Sequence, residues 1–222
     1  MTFAVIFDLD GTLLDSLDDL TDALNIALAA HGFPPAASAQ VRGWIGSGVT
    51  ILCRRALPNV DDDTIARVRD SLLRAYDSGC LNRSRWYPGI REMLRKLADS
   101  RTRMAVLSNK PDPLTQRIVD ALADPGAFAW VRGVREESER KPSLGLARGW
   151  LDRIGADPAH AYFVGDSLID IQTARAAGMK SVAVGWGFTD VAELRAAAPD
   201  YLCESAGEIL RLPGLEPPAN RG

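Results

Sequence analysis

Two aspartates one residue apart, Asp8 and Asp10, end the apolar run Phe3-Ala4-Val5-Ile6-Phe7 and lead into Gly11-Thr12. A run this apolar, with β-branched and aromatic residues, predicts a strand buried on both faces, the kind found inside parallel sheets. Side chains two apart in a strand share a side, so the two carboxylates converge if extended geometry persists past Phe7. Two unit charges about 4 Å apart repel by roughly 4 kcal/mol at an effective dielectric near 20, so the pair requires a retained proton or a cation. Gly11 lets the chain turn and Thr12 supplies a hydroxyl. Taken alone, an acidic pair after a strand is an ordinary surface turn. Its meaning depends on what other strand ends contribute.

In open parallel sheets, ligands bind beyond the carboxyl ends of the strands. After Met104-Ala105-Val106-Leu107 come Ser108, Asn109 and Lys110, a hydroxyl, an amide and an ammonium able to donate to phosphate oxygens. Further on, Lys141 precedes Pro142 just ahead of a helical pattern. After Tyr162-Phe163-Val164 come Asp166 and Asp170, four apart in a turn that enters a helix, and so near one face of it. Only four of the 26 basic residues are lysines, Lys96, Lys110, Lys141 and Lys180, so a lysine at a strand end is informative.

The elements that must position these residues follow from periodicity. Leu17, Leu20, Ala23, Leu24, Ala27 and Leu28 recur at helical spacing, and the pattern closes near Gly32-Phe33-Pro34-Pro35. Helical patterns return over Val49–Leu57 and Thr64–Tyr76, the second entered through Asp61-Asp62-Asp63 as a capping region. Residues 16–85 therefore read as an all-helical insertion, ended by Trp86-Tyr87-Pro88-Gly89. From there helices alternate with strands at Met104–Leu107, Phe128–Val131, Tyr162–Val164 and Val182–Val184, with Tyr201–Cys203 as a possible edge. This is the signature of an α/β fold, a Rossmann-like parallel sheet with helices on both faces. Residues 1–15 and 86–222 make the core and 16–85 the helical cap. The stretch after Leu212, rich in proline and glycine, predicts a loose tail.

Asp8 to Thr12, Ser108, Lys141, and Asp166 with Asp170, in that order, resemble the four motifs of the haloacid dehalogenase-like (HAD) phosphohydrolases. Ile45-Gly46-Ser47-Gly48-Val49, Tyr87-Pro88-Gly89 and Ser108-Asn109-Lys110-Pro111 resemble the phosphoglycolate phosphatase-like branch. The resemblance implies a phosphomonoester hydrolase that works through an aspartyl phosphate on Asp8, with Asp10 as acid and base. Ser108 and Lys141 would hold the transferring oxygens, and Thr12 and Asn109 would contact the substrate. It also implies Mg²⁺, held by Asp8, the backbone carbonyl of Asp10 and Asp166, with Asp170 beside them as a ligand or as the group that orients Lys141.

The expected substrate is a small phosphorylated metabolite carrying a second anionic group, with 2-phosphoglycolate as first candidate and Arg42, Arg54 and Arg55 as the cap cations nearest to it. A phosphosugar mutase of the same superfamily and a receiver-type module that keeps its phospho-aspartate are the alternatives. The helical insertion directly after the first motif weighs against the receiver. A net charge of −3 without a basic cluster gives no nucleic-acid footprint. No apolar run is long enough for a bilayer, and Met1 leads straight into the first strand, so a cytoplasmic protein is expected. Three widely spaced cysteines, Cys53, Cys80 and Cys203, indicate neither a zinc site nor a disulfide framework.

Overall fold

The structure, a computed structural model, describes residues 3–216. Its strands are β1 (Ala4–Phe7), β2 (Leu14–Asp15), β3 (Arg85–Trp86), β4 (Arg103–Pro111), β5 (Trp130–Val134), β6 (Ala161–Gly165), β7 (Lys180–Val184) and β8 (Tyr201–Cys203). Six of them form one parallel sheet in the order β5-β4-β1-β6-β7-β8. All four residues of β1 are completely buried, as its two-faced apolar run requires. Val5 and Phe7 pack into one core layer, while Ala4 and Ile6 pack into another with Leu107, Trp150 and Phe163. The chain leaves β1 toward β4 on one side and β6 on the other, so the order reverses at β1 and its carboxyl end opens into a crevice.

The helices are α1 (Leu17–Ala30), α2 (Ser38–Arg42), α3 (Val49–Ala56), α4 (Asp62–Gly79), α5 (Ile90–Asp99), α6 (Asp112–Leu122), α7 (Leu144–Ile154), α8 (Leu168–Ala177), α9 (Val191–Ala196) and α10 (Ala206–Ile209). Helices α1 to α4 lie between β2 and β3, which pair antiparallel as the two connectors of the insertion. Asp19 on α1 secures that junction. Its buried carboxylate accepts from the backbone N–H groups of Arg83 and Ser84 and from Ser84 Oγ, at 2.7–3.0 Å. Hydrogen bonds to a charged acceptor are each worth about 1.5–3 kcal/mol, more than neutral ones. Helix α4 starts where its acidic run predicts, with Asp61 accepting from Thr64 N.

The structure departs from the periodicity in places. The Phe128–Val131 strand is displaced to Trp130–Val134, because the Phe128 ring plugs the core edge-on against Phe7, with ring centres 6.4 Å apart. The β2–β3 ribbon and α2 are too short to leave a period. The stretch after Leu212 has no regular structure but is not loose as far as Glu216. Leu215 is fully buried and Tyr162 Oη donates to the Pro213 carbonyl. Residues 217–222, the rest of the expected tail, lie outside the described residues. Among the described residues, no helix is long and apolar enough to cross a membrane.

Candidate active site

Every strand-end residue singled out by its chemistry lies at one end of the sheet. Asp8 and Asp10 leave β1, Ser108 to Lys110 end β4, Asp166 follows β6, and Lys141 arrives on the loop before α7. The carboxylates of Asp8, Asp166 and Asp170 form a buried nest, one oxygen from each lying within 4.8 Å of the others. Lys141 is the cation of the nest, with Nζ 2.8 Å from Asp8 Oδ1 and 2.7 Å from Asp170 Oδ1.

Asp170 is fully engaged. Its Oδ1 accepts from Lys141, and its Oδ2 accepts from the N–H and hydroxyl of Ser167, with which it forms the capping box that starts α8. Asp166 accepts from Thr12 Oγ1 at 3.2 Å and from Phe188 N at 2.8 Å. Asp8 Oδ1 is buried, with the Lys141 ammonium at 2.8 Å as its polar partner. The electrostatics follow from this. Burial pushes the Asp8 carboxyl up to about 7, with Lys141 pulling the other way. Burial, and then the charges of Asp170 and Asp8, push Asp166 up to about 8. Burial disfavours the Lys141 ammonium, but Asp170 and Asp8 outweigh it and hold the proton firmly.

The Asp-x-Asp pair does not share a cation. Asp10 is turned to a second lysine, Lys110, 2.8 Å from its Oδ1, and Ser16 Oγ donates to the same oxygen at 2.6 Å. Its carboxylate is outside the nest, which leaves its backbone carbonyl as the ligand it could offer a metal. Lys110 and Asn109, the other expected phosphate donors, line the cavity and already have partners within the protein, Asp10 and Tyr76 in the case of Lys110. The Asn109 amide donates to the Gly46 and Lys141 carbonyls and accepts from Lys141 N, so it clips the lysine loop to the helical insertion. Ser108 lines the cavity beside Asp8 and Asp10. Thr12 serves Asp166 with its hydroxyl, and its carbonyl accepts from Trp186 Nε1.

Above the acids, the insertion encloses a cavity of about 40 Å³, walled by Leu20, Ile45, Val49, Leu52 and Tyr76. A water occupies about 10–15 Å³ on this measure, so the space suits a group of a few heavy atoms. A wider cleft of about 370 Å³ opens past Asp10 and Asp166 and is lined by Arg42 and Arg55. Arg42 donates to the carbonyls of Gly187 and Phe188, and Arg55 donates to those of Gly43 and Trp44. Arg54 lines neither space and pairs with Asp62 on the insertion's surface.

Two glycines allow the acids to come this close. Gly11 has φ +81°, and a Cβ on it would meet Asp166 Oδ2 at 2.2 Å. A Cβ on Gly187 would meet the Asp166 Cβ at 2.2 Å and the Gly11 carbonyl at 2.4 Å. Gly187, Phe188 and Ser16 escape a reading of the sequence. The first two could have been found by extending the strand-end rule to β7, whereas Ser16 carries no such signal.

Residues 5–184 match the family model of the haloacid dehalogenase-like hydrolases. The chain is 33% identical to the phosphoglycolate phosphatase of Pseudomonas putida, over 97% of this chain and 80% of that protein. It is 34% identical to phosphoglycolate phosphatase 1 of Pseudomonas aeruginosa, over 93% and 78% respectively. A crystal structure from Lactobacillus delbrueckii subsp. bulgaricus, 30% identical, superposes with a TM-score of 0.88 over 94% of this chain and 97% of that one.

Proposed function

The chain belongs to the haloacid dehalogenase-like hydrolase family and is a phosphatase, and within that family we propose that it hydrolyses 2-phosphoglycolate or a comparably small anionic phosphomonoester, with Asp8 as nucleophile. The observation that carries this reading is the state of Asp8: a buried carboxylate facing a cavity, with the Lys141 ammonium at 2.8 Å as the partner of its Oδ1 and two more acids beside it.

An Asp8 oxygen attacks phosphorus in line, the ester P–O bond breaks, and Asp10 gives its proton to the leaving oxygen. Asp10 then takes a proton from the water that attacks the aspartyl phosphate, which releases inorganic phosphate and restores Asp8. Ser108 and Lys141 hold the non-bridging oxygens, where the ammonium offsets developing charge. Asp170 orients Lys141, since both of its oxygens are already engaged.

The donor set fits a hard divalent cation. Three carboxylates are buried together, Lys141 pairs with only two of them, Asp8 and Asp170, and burial holds Asp8 and Asp166 well above the ordinary carboxylate range. Asp8, Asp166 and the Asp10 backbone carbonyl would hold Mg²⁺, which when bound supplies the positive charge that lets a phosphate dianion approach this nest. Residues 16–85 act as the cap. Its apolar wall excludes water from the reacting atoms, and the cavity it leaves limits the leaving group to a few heavy atoms. Arg42 and Arg55, at the rim of the wider cleft, are the cap cations that could meet a second anionic group.

The test compares kcat/KM with Mg²⁺ for 2-phosphoglycolate, sugar phosphates, nucleotides and phosphonoacetaldehyde. The small anionic ester should lead. No lysine precedes Lys96, so the cap offers no amine for a Schiff base and phosphonoacetaldehyde should be inert. Preference for a large neutral sugar phosphate, or turnover only with a bisphosphate activator, would refute the proposal.

A further inference from the structure

Lys110 is a buried lysine that the chemistry above does not use. Its side chain is 4% exposed and its ammonium faces three groups drawn from both halves of the molecule. Nζ lies 2.8 Å from Asp10 Oδ1, donates to Tyr76 Oη at 2.6 Å, and stands 4.3 Å from the centre of the Tyr76 ring. Tyr76 comes from α4 of the insertion, whereas Lys110 lies at the end of β4 and Asp10 on the turn that follows β1. Ser16 Oγ reaches the same Asp10 oxygen. Two donors thus converge on Oδ1, and among the described residues no hydrogen bond engages Oδ2. A carboxyl held in this way has one rotamer and one oxygen available to carry a proton.

We propose that Lys110 is a positioning residue for Asp10, seated by the Tyr76 hydroxyl, so that Asp10 is aligned to deliver its proton only while the insertion covers the site. The inference rests on the reading of Asp10 as acid and base. When the insertion lifts, Tyr76 leaves with it, and the ammonium loses both its hydroxyl partner and the ring face beside it. Water then reaches Lys110, and Asp10 is no longer pinned. The closed cap and the aligned acid become one state.

The test exploits leaving groups. The value of kcat/KM reports the steps up to phosphoryl transfer to Asp8, so it contains the first proton delivery and not the later hydrolysis. An alkyl phosphate must leave as an alcohol and needs that proton. Acetyl phosphate, of similar size, leaves as a stable carboxylate and does not. For 2-phosphoglycolate, or the alkyl phosphate turned over best in the panel above, Lys110→Met should lower kcat/KM about 30- to 100-fold, part of the 10²–10⁴ that a general acid contributes. For acetyl phosphate the loss should stay within about threefold. Tyr76→Phe, which removes one oxygen, should show the same selectivity at about five- to tenfold, and adding it to Lys110→Met should cost nothing more. If Lys110→Met does not fold, Tyr76→Phe carries the test. Equal losses on both substrates would mean a structural role only and would overturn the inference. Asp10→Asn separates the two readings. If it also loses both substrates equally, the acid assignment fails. If it is selective while the Lys110 and Tyr76 variants are not, only the positioning role fails.

Discussion

Gly187→Ala tests how closely the fold must hold Asp166. The added methyl would lie 2.2 Å from the Asp166 Cβ and 2.4 Å from the Gly11 carbonyl, where carbon contacts settle near 3.5–4.0 Å. Neither neighbour is the far end of a flexible side chain, so the methyl requires a displacement of about 1 Å, shared between Gly187 and Asp166. Phe188 N, bonded to Asp166 Oδ2 at 2.8 Å, moves with the glycine and cannot compensate. Overpacking of this kind costs about 1–3 kcal/mol, a fall in Tm of roughly 2–4 °C per kcal/mol for a chain of this size. A misplacement of about 1 Å at a reacting centre costs on the order of 10²-fold in rate. Disturbing a ligand's support weakens metal binding by about 10- to 100-fold. Expected, therefore, is a folded protein with a modestly lower Tm, kcat down about 100-fold, and weaker Mg²⁺ binding by calorimetry. Gly185→Ala is the control, because its Cβ would meet nothing closer than Val191 Cγ2 at 3.3 Å, and it should keep near-normal kcat. A folded Gly187→Ala with native kcat and native Mg²⁺ affinity would refute the claim that this close approach fixes the metal ligand.

Asp8→Asn should abolish turnover and any acid-stable phosphoprotein without unfolding the chain, because the amide keeps the size and lacks the nucleophilic oxygen; substantial activity in this variant would remove Asp8 from its role. Chelation should silence the enzyme reversibly, and in the chelated protein stability should fall with pH. Asp8 near 7 and Asp166 near 8 both lie above the unfolded value of 3.8, so their contribution is complete below about pH 4 and is lost as pH rises through 7 to 8. Added Mg²⁺ should raise Tm most at the alkaline end of that window, and an equal rise at pH 5 and pH 8 would contradict the account.

The sequence made the scaffold legible because its constraints are local. The apolar run of β1 and the helix–strand alternation after Ile90 each dictate elements within a few residues. The strand-end rule then located Asp8, Ser108 and Asp166 without any tertiary information. What it could not decide was the pairing of charges. Spacing alone leaves the pair needing either a retained proton or a cation, whereas the structure gives Asp8 and Asp10 different lysines, and the one for Asp10 lies among residues able to donate to phosphate. Which ammonium meets which carboxylate depends on loops 100 residues apart for Asp10 and Lys110 and 133 apart for Asp8 and Lys141, which periodicity does not encode. The clip from Asn109 to Gly46 and the support of Asp166 by Gly187 and Phe188 are hidden for the same reason.

That pairing also explains how two aspartates one residue apart can take different parts. Asp10 is matched one to one by Lys110, so its charge is balanced within the protein whether or not a cation is bound. Asp8 shares Lys141 with Asp170, and Asp166 has hydrogen bonds but no cation of its own among the described residues. The nest therefore carries more acids than its lysine can match, and burial makes that surplus costly. A divalent cation would relieve the surplus, and Asp8, which has only a shared lysine, is the acid placed against the cavity. Moving the Lys110 charge to the nest would leave Asp10 unmatched, and moving the Lys141 charge away would leave Asp8 and Asp170 facing each other without a cation. The division of two lysines among four acids is thus the arrangement that the proposed roles require, a metal-dependent nucleophile beside an acid that the protein balances by itself.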